Sequence, residues 1–153
     1  MSKLSHIDEA GRAKMVDVSA KSPTAREARA EGLLKIKPSH RQVLNNLKKG
    51  DALTVAQIAG IQGGKRCSDL IPLCHPIALT DLGVNIKLTE NGLKIEATAK
   101  TVAGTGVEME AYTAVAVAGI TLIDMLKGVD PDLELTQIRL MEKTGGKTNF
   151  KRD

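Results

Sequence analysis

Side chains that could carry out acid–base chemistry lie at both ends of one long apolar segment, residues 104–128 (GTGVEMEAYTAVAVAGITLIDMLKG). On a helix with 100° per residue, one narrow polar stripe holds Glu110, Thr113, Thr121 and Asp124, with Lys127 at its edge. An Asp beside a Lys offers two groups that perturb each other's pKa and could transfer protons. The stripe either faces water on a buried core helix, with Asp124 and Lys127 as a surface ion pair, or lines a cavity.

A second group of reactive side chains precedes this segment. Pro72 and Pro76 hold the segment around His75 extended, and a histidine in such a loop is either a surface residue or part of a site. Cys67, Cys74 and His75 could be considered as zinc ligands, but a fourth ligand and paired short spacing are missing. We therefore predict no metal site, and two reduced thiols rather than a disulfide.

Basic residues form a third group of candidates. GGK at residues 145–147 is not a P-loop, because the strand-to-helix context is absent, and it is either a flexible tail or a phosphate-binding segment. By base rate most of the other lysines are solvated, among them Lys48, Lys49, Lys65 and Lys143. The net charge of +4 suits a polyanionic partner, either a nucleic acid or a small phosphate compound.

The composition limits the fold and the class of protein. A chain of 153 residues forms one domain, and only Tyr112 and Phe150 are aromatic, so the core must be aliphatic. The longest apolar run is shorter than the roughly 18 residues of a membrane span and is flanked by acids. We expect a cytoplasmic protein with no membrane partner.

The polar and apolar patterns predict four strands and three helices. The strands are residues 26–37, 80–89, 93–101 and 133–143, the second and third joined by a type I′ turn at Asn91-Gly92. The helices are residues 39–47, 54–70 and the long one within 104–128. In the helix 54–70, Gly60, Gly63 and Gly64 suggest close backbone packing or the approach of a ligand.

This order predicts an α+β, ferredoxin-like split βαβ fold, an antiparallel sheet with helices on one face. We expect a mobile arm at residues 1–25, a catalytic domain at 26–144 and a flexible basic tail at 145–153. The second face of the sheet and the outer side of the long helix are expected to be apolar, which predicts a homo-oligomer. A basic domain of this fold could also be a nucleic-acid-binding module, although its strands lack the aromatics that stack bases.

Several motifs resemble those of the cyclic pyranopterin monophosphate synthase family of molybdenum cofactor biosynthesis. They are MVDVSAK (15–21), AGIQGGKR (59–66), DLIPLCHP (69–76), TGVEMEA (105–111) and DMLK (124–127), followed by GGK. The resemblance runs in order from about Val16 to Lys147. Cys67 departs from it, since a threonine is expected there.

The resemblance implies a function and a site. The substrate would be 3′,8-cyclo-7,8-dihydroguanosine 5′-triphosphate, converted to cyclic pyranopterin monophosphate with release of diphosphate by a homohexamer built from dimers. No cofactor, nucleic acid or membrane is implied. The implied catalytic residues are Asp124, Lys127 and Lys49, and the implied substrate-binding residues are Leu73, Cys74, His75, Glu108, Met109, Glu110, Lys65 and Lys147.

One geometric consequence follows from the helix itself. Glu110 and Asp124 are fourteen residues apart, about 21 Å at 1.5 Å per residue, so one helix cannot bring both to the same ring system. We therefore predict a site shared across a two-fold axis, with His75 and Glu110 from one chain and Asp124 and Lys127 from its neighbour.

Overall fold

The computed structural model describes residues 6–46 and 50–153, and its elements follow the predicted order. The strands are β1 (Thr24–Lys35), β2 (Leu79–Thr89), β3 (Gly92–Ala103), β4 (Glu134–Thr144) and β5 (Phe150–Lys151). The helices are α1 (Arg41–Asn46), α2 (Gly50–Lys65), α3 (Cys67–Leu70) and α4 (Glu108–Leu126). The predicted helix 54–70 is therefore interrupted at Arg66, and the short β5 was not predicted.

The five strands form one antiparallel sheet in the order β2-β3-β1-β4-β5. This arrangement confirms the α+β, ferredoxin-like prediction. The predicted type I′ turn is wrong: it needs a positive φ at both Asn91 and Gly92, and only Gly92 has one (134°). A side chain at Gly92 would overlap the carbonyl of Leu34 on the neighbouring strand, so glycine is required there for space as well as for φ.

Small residues under α4 let this helix lie close to the sheet. Ala28 of β1 pairs with Ala99 of β3, and Ala30 pairs with Ala97; all four are buried. α4 packs on β1, β3 and β4, and it also packs along α2. The two helices thus cover one face of the sheet, and the core between them is aliphatic, as predicted.

The glycines of α2 serve the contact with α4. A Cβ on Gly60 would lie 2.8 Å from the carbonyl oxygen of Ala114, and one on Gly63 would lie 2.6 Å from Val117. Of the two explanations left open by the sequence, close backbone packing is the one observed at these two positions.

The second face of the sheet is charged, and the expectation of an apolar face is wrong. Glu31 is 7% exposed and forms ion pairs with Arg139 (2.8 Å) and Lys94 (3.1 Å). Arg29 lies within 3.8 Å of Glu96 on the same face. Strand alternation puts alanines on the helix side and these charges on the other, so this face can contact water without a partner.

By length and composition α4 could cross a membrane, but half of it is buried inside the fold. Its apolar side chains pack against the sheet and α2, which is the environment of a core helix.

Candidate active site

A cleft of about 660 Å³ lies where the loop after α3 meets the beginning of α4. It is lined by five of the residues predicted to bind substrate, Leu73, Cys74, His75, Glu108 and Met109. The prediction of an extended segment between Pro72 and Pro76 is wrong at its beginning, where Pro72 and Leu73 form a turn and the Cys74 N–H donates to the Ile71 carbonyl. Residues 105–106 lead the chain from β3 into α4. Two segments far apart in sequence therefore form one largely apolar cleft with a few polar groups, as small-molecule sites do.

His75 is held by the N-terminal segment. Its Nε2 lies 2.7 Å from the carbonyl oxygen of Val16, an oxygen that can only accept. Nε2 therefore carries the proton, and Nδ1 is the nitrogen that accepts a proton when the ring is neutral. His6, from the same N-terminal segment, also lines the cleft.

A buried carboxyl group lies behind the cleft wall. Glu110 is only 3% exposed; its Oε1 accepts a hydrogen bond from the Cys74 thiol at 3.7 Å, and its Oε2 is buried with no partner among the described residues. Burial raises the pKa of Glu110. Burial and the neighbouring Glu110 charge raise the pKa of Cys74 to about 12, so Cys74 is a neutral thiol that can donate a hydrogen bond.

A second, smaller cleft of about 120 Å³ adjoins the first and shares Gly106 and Glu108 with it. It is lined by three cations, Arg26, Lys143 and Lys147, and by two acids, Glu27 and Glu108. Lys143 donates to Glu108 Oε1 at 3.0 Å, so this acidic group, which both clefts share, is already paired. The excess positive charge makes this smaller cleft suitable for phosphate oxygens.

Within one chain, the structure does not bring the remaining predicted residues to the cleft. Asp124 and Lys127 lie at the other end of α4, where their side chains are 70% and 65% exposed and 2.6 Å apart. The hydrogen bond from Lys127 lowers the pKa of Asp124. Lys65 is exposed at the end of α2 and does not line either cleft, and Lys49 lies outside the described residues.

Several lining residues were not predicted. Arg26 and Lys143 lie on strands β1 and β4, and the sequence analysis took Lys143 as one of many solvated lysines. Only the strand pairing shows that both reach the beginning of α4. Nothing in the sequence distinguishes His6, but Thr105 and Gly106 belong to the TGVEMEA motif and could have been selected with it.

The arrangement provides groups for binding and for proton transfer. A carboxyl group with a raised pKa and a histidine with one free nitrogen can exchange protons with a bound molecule. The thiol and Glu108 can hydrogen-bond its polar edges, while Leu73 and Met109 exclude water from its ring.

The model of the MoaC family matches residues 15–146 of the chain. A protein of Rhodospirillum rubrum named cyclic pyranopterin monophosphate synthase is 53% identical over 149 residues, covering 95% of this chain and 90% of the relative. One of the same name from Streptomyces avermitilis is 51% identical over 148 residues, covering 95% of this chain and 87% of the relative. Molybdenum cofactor biosynthesis protein 1 of Drosophila melanogaster is 49% identical over 99% of this chain, which spans 28% of that protein.

Proposed function

The chain belongs to the MoaC family, and we propose that it is a cyclic pyranopterin monophosphate synthase. It would convert 3′,8-cyclo-7,8-dihydroguanosine 5′-triphosphate to cyclic pyranopterin monophosphate with release of diphosphate, in molybdenum cofactor biosynthesis. The observation that carries the proposal is the pair of adjoining clefts, one suited to a ring system and the other lined by three cations.

The substrate fits the two clefts with its ring system in the larger and its phosphates toward the smaller. Guanine-like N–H groups require acceptors, which Glu108 and Glu110 provide. The α-phosphorus is attacked by a ribose-derived hydroxyl while diphosphate leaves, and cations that line the smaller cleft stabilise the charge that develops. Lys147 is the predicted substrate-binding residue among these cations.

The rearrangement opens and recloses rings, so it requires groups that exchange protons with the substrate. Glu110 and the free Nδ1 of His75 lie in or next to the larger cleft. Asp124 and Lys127 are the implied acid–base pair, with Lys49 as a further catalytic lysine. Because the charges of this pair are exposed in one chain, they need a second surface before they can act on a substrate that is shielded from water.

A two-fold related second chain is the simplest source of that surface. α4 is one continuous helix from Glu108 to Leu126, so about 21 Å separates the backbones of Glu110 and Asp124. Two antiparallel copies of α4 would place Asp124 and Lys127 of one chain at the cleft of the other. Such an interface would also cover Ile120, which is 60% exposed on α4.

The proposed assembly is a homohexamer of three such dimers, in the cytoplasm. The charged second face of the sheet does not support a contact there, and the apolar outer sides of α2 and α4 do. Ile58 of α2, like Ile120, is more than half exposed. The two free cysteines suit a reducing compartment.

Nucleic-acid binding, the second function considered, is not favoured. Modules of this fold stack bases on aromatic side chains of the open sheet face. Here that face carries Arg29, Glu31 and Lys94, whose charges are paired with one another or with neighbouring strands.

Incubating the purified full chain with the cyclised GTP-derived triphosphate tests the proposal. We expect stoichiometric release of diphosphate and formation of cyclic pyranopterin monophosphate, with no release from GTP itself, which lacks the C8 bond to the ribose. A folded protein that releases no diphosphate from the intermediate would contradict the proposed function.

A further inference from the structure

Two cysteines and a carboxylate converge beside the larger cleft, and of these three residues Cys74 lines it. Cys67, the first residue of α3, and Cys74, in the loop after it, have their sulfurs 3.7 Å apart. Oε1 of Glu110 lies 3.7 Å from the Cys74 sulfur, and one potential ligand atom from each of the three residues lies within 4.8 Å of the others. By sequence His75 is the third candidate ligand beside the two cysteines, whereas the structure puts Glu110 in that place.

We propose that Cys67, Cys74 and Glu110 form a binding site for a thiophilic divalent cation such as zinc. In a tetrahedral zinc site with Zn–S bonds of about 2.3 Å, two sulfurs are about 3.8 Å apart, and a sulfur and a carboxylate oxygen are about 3.5 Å apart. The observed separations differ from these by no more than about 0.2 Å between Cys67 and Cys74 and between Cys74 and Glu110. A cation would therefore fit these two separations as they stand, whereas the Cys67 sulfur and the Glu110 oxygen, which lie within 4.8 Å of each other, would have to come to about 3.5 Å.

The carboxylate supplies an independent indication of a missing ligand. Glu110 is buried, with 3% of its surface exposed, and its Oε2 has no hydrogen-bond partner among residues 6–46 and 50–153. A buried polar atom without a partner destabilises the fold, because it has lost its hydrogen bonds to water. A cation at this position would satisfy the carboxylate and remove that destabilisation.

The ligand set selects the class of metal. Two thiolates and one carboxylate favour zinc over magnesium or calcium, which prefer oxygen ligands only. Thr113 Oγ1 donates to the Cys67 sulfur at 3.4 Å and so orients it. Binding replaces one proton on each thiol, so two protons pass to solvent for each cation bound, plus a third where Glu110 is protonated. The three residues leave the fourth position of a tetrahedral site for a further ligand such as a water molecule.

The consequence for the reaction is inhibition, and this part rests on the proposed function. Cys74 and Glu110 are both proposed to contact substrate, so a cation that engages them would compete with the substrate for these two side chains. Cys67 belongs to the metal site only, because it is 1% exposed and does not line the cleft. Cys67→Ser is therefore the variant that separates the two roles.

The test is titration of the reduced, metal-free full chain with Co²⁺, which reports on sulfur ligands by colour. We expect one Co²⁺ per chain, with a thiolate-to-cobalt charge-transfer band and tetrahedral visible bands that zinc abolishes by displacement. X-ray absorption of the zinc form should show two sulfur neighbours. In Cys67→Ser the affinity for Co²⁺ should fall by more than about tenfold, because even the loss of a residue that only hydrogen-bonds a metal ligand lowers metal affinity by about that factor.

Activity assays on the same samples complete the test. Zinc should inhibit diphosphate release by the wild type, and Cys67→Ser should keep the metal-free activity while resisting zinc. The proposal would be overturned if the cobalt form showed no charge-transfer band or if the zinc ion had fewer than two sulfur neighbours. It would also be overturned if Cys67→Ser bound Co²⁺ as tightly as the wild type. Loss of turnover in the metal-free wild type would count against the proposed function and leave the spectroscopic result decisive for the metal site.

Discussion

Replacing Gly60 by alanine tests whether the glycines of α2 exist to bring this helix against α4. The added Cβ would lie 2.8 Å from the carbonyl oxygen of Ala114 and 3.0 Å from the Cβ of Ala118. Both atoms are part of, or fixed to, the backbone of a buried helix, so they cannot turn aside as a long side chain could. The two helices would have to separate by several tenths of an ångström.

Two opposing effects determine the size of the change. Overpacking a core contact costs about 1–3 kcal/mol, and the better helix propensity of alanine returns at most about 1 kcal/mol. With the overpacking cost at the middle of its range, about 2 kcal/mol, and a return of up to about 1 kcal/mol, we expect Gly60→Ala to lower the free energy of unfolding by about 1–2 kcal/mol. In a chain of 153 residues each kcal/mol corresponds to a fall in Tm of about 2–4 °C.

Urea unfolding followed by circular dichroism at a fixed protein concentration measures this change. Gly83→Ala is the matched control, because a Cβ at Gly83 meets no heavy atom within 4 Å. The control should change stability by less than about 0.5 kcal/mol. If Gly60→Ala proved as stable as the wild type, the packing explanation would be refuted and a role for Gly60 in ligand approach would return.

Three further outcomes are expected. Lys127→Ala should abolish diphosphate release without lowering Tm, because its ion pair with Asp124 is exposed; retained activity would remove Lys127 from the catalytic residues. The close contact of Asp130 Oδ2 with His40 Nδ1 (2.9 Å) holds the pKa of Asp130 at about 2, below its usual 3.8. The ionised form therefore stabilises the fold above pH 3.8, and this stability is lost as the pH falls toward 2. Acid titration followed by circular dichroism should show that Asp130→Asn loses less stability over that pH window than the wild type does. Lys147→Ala should raise the KM most at low salt, with Lys151→Ala unchanged as its control; equal KM values for the two variants would argue against a phosphate contact by Lys147.

The order and type of the main elements could be predicted because period-2 and period-3.6 patterns are local. The strand pairs and α4 appear where the alternation of Leu82, Val84 and Ile86 and the apolar run to Leu126 indicate them. The charged second face was not predicted, since it depends on which strands pair. Glu31 meets Arg139 only because β1 lies next to β4.

The candidate site was predicted unevenly for the same reason. Residues within a compact motif, such as Cys74 and His75, were selected together and lie together. Arg26 and Lys143 were not, because each is an ordinary basic residue of a strand until the sheet register brings it beside Glu108. The environment of Glu110 likewise depends on the fold, since its position on the helical wheel is compatible with either water or a buried cavity.

The most direct test of the account mixes two inactive variants, His75→Ala and Asp124→Ala, under conditions in which subunit exchange is demonstrated. In a mixed dimer with shared sites, one site receives both substitutions and the other receives neither. Since half of randomly paired dimers are mixed, we expect roughly a quarter of the wild-type rate of diphosphate release after 1:1 exchange. Mixtures that exchange subunits and remain inactive would contradict a site built from His75 of one chain and Asp124 of its neighbour.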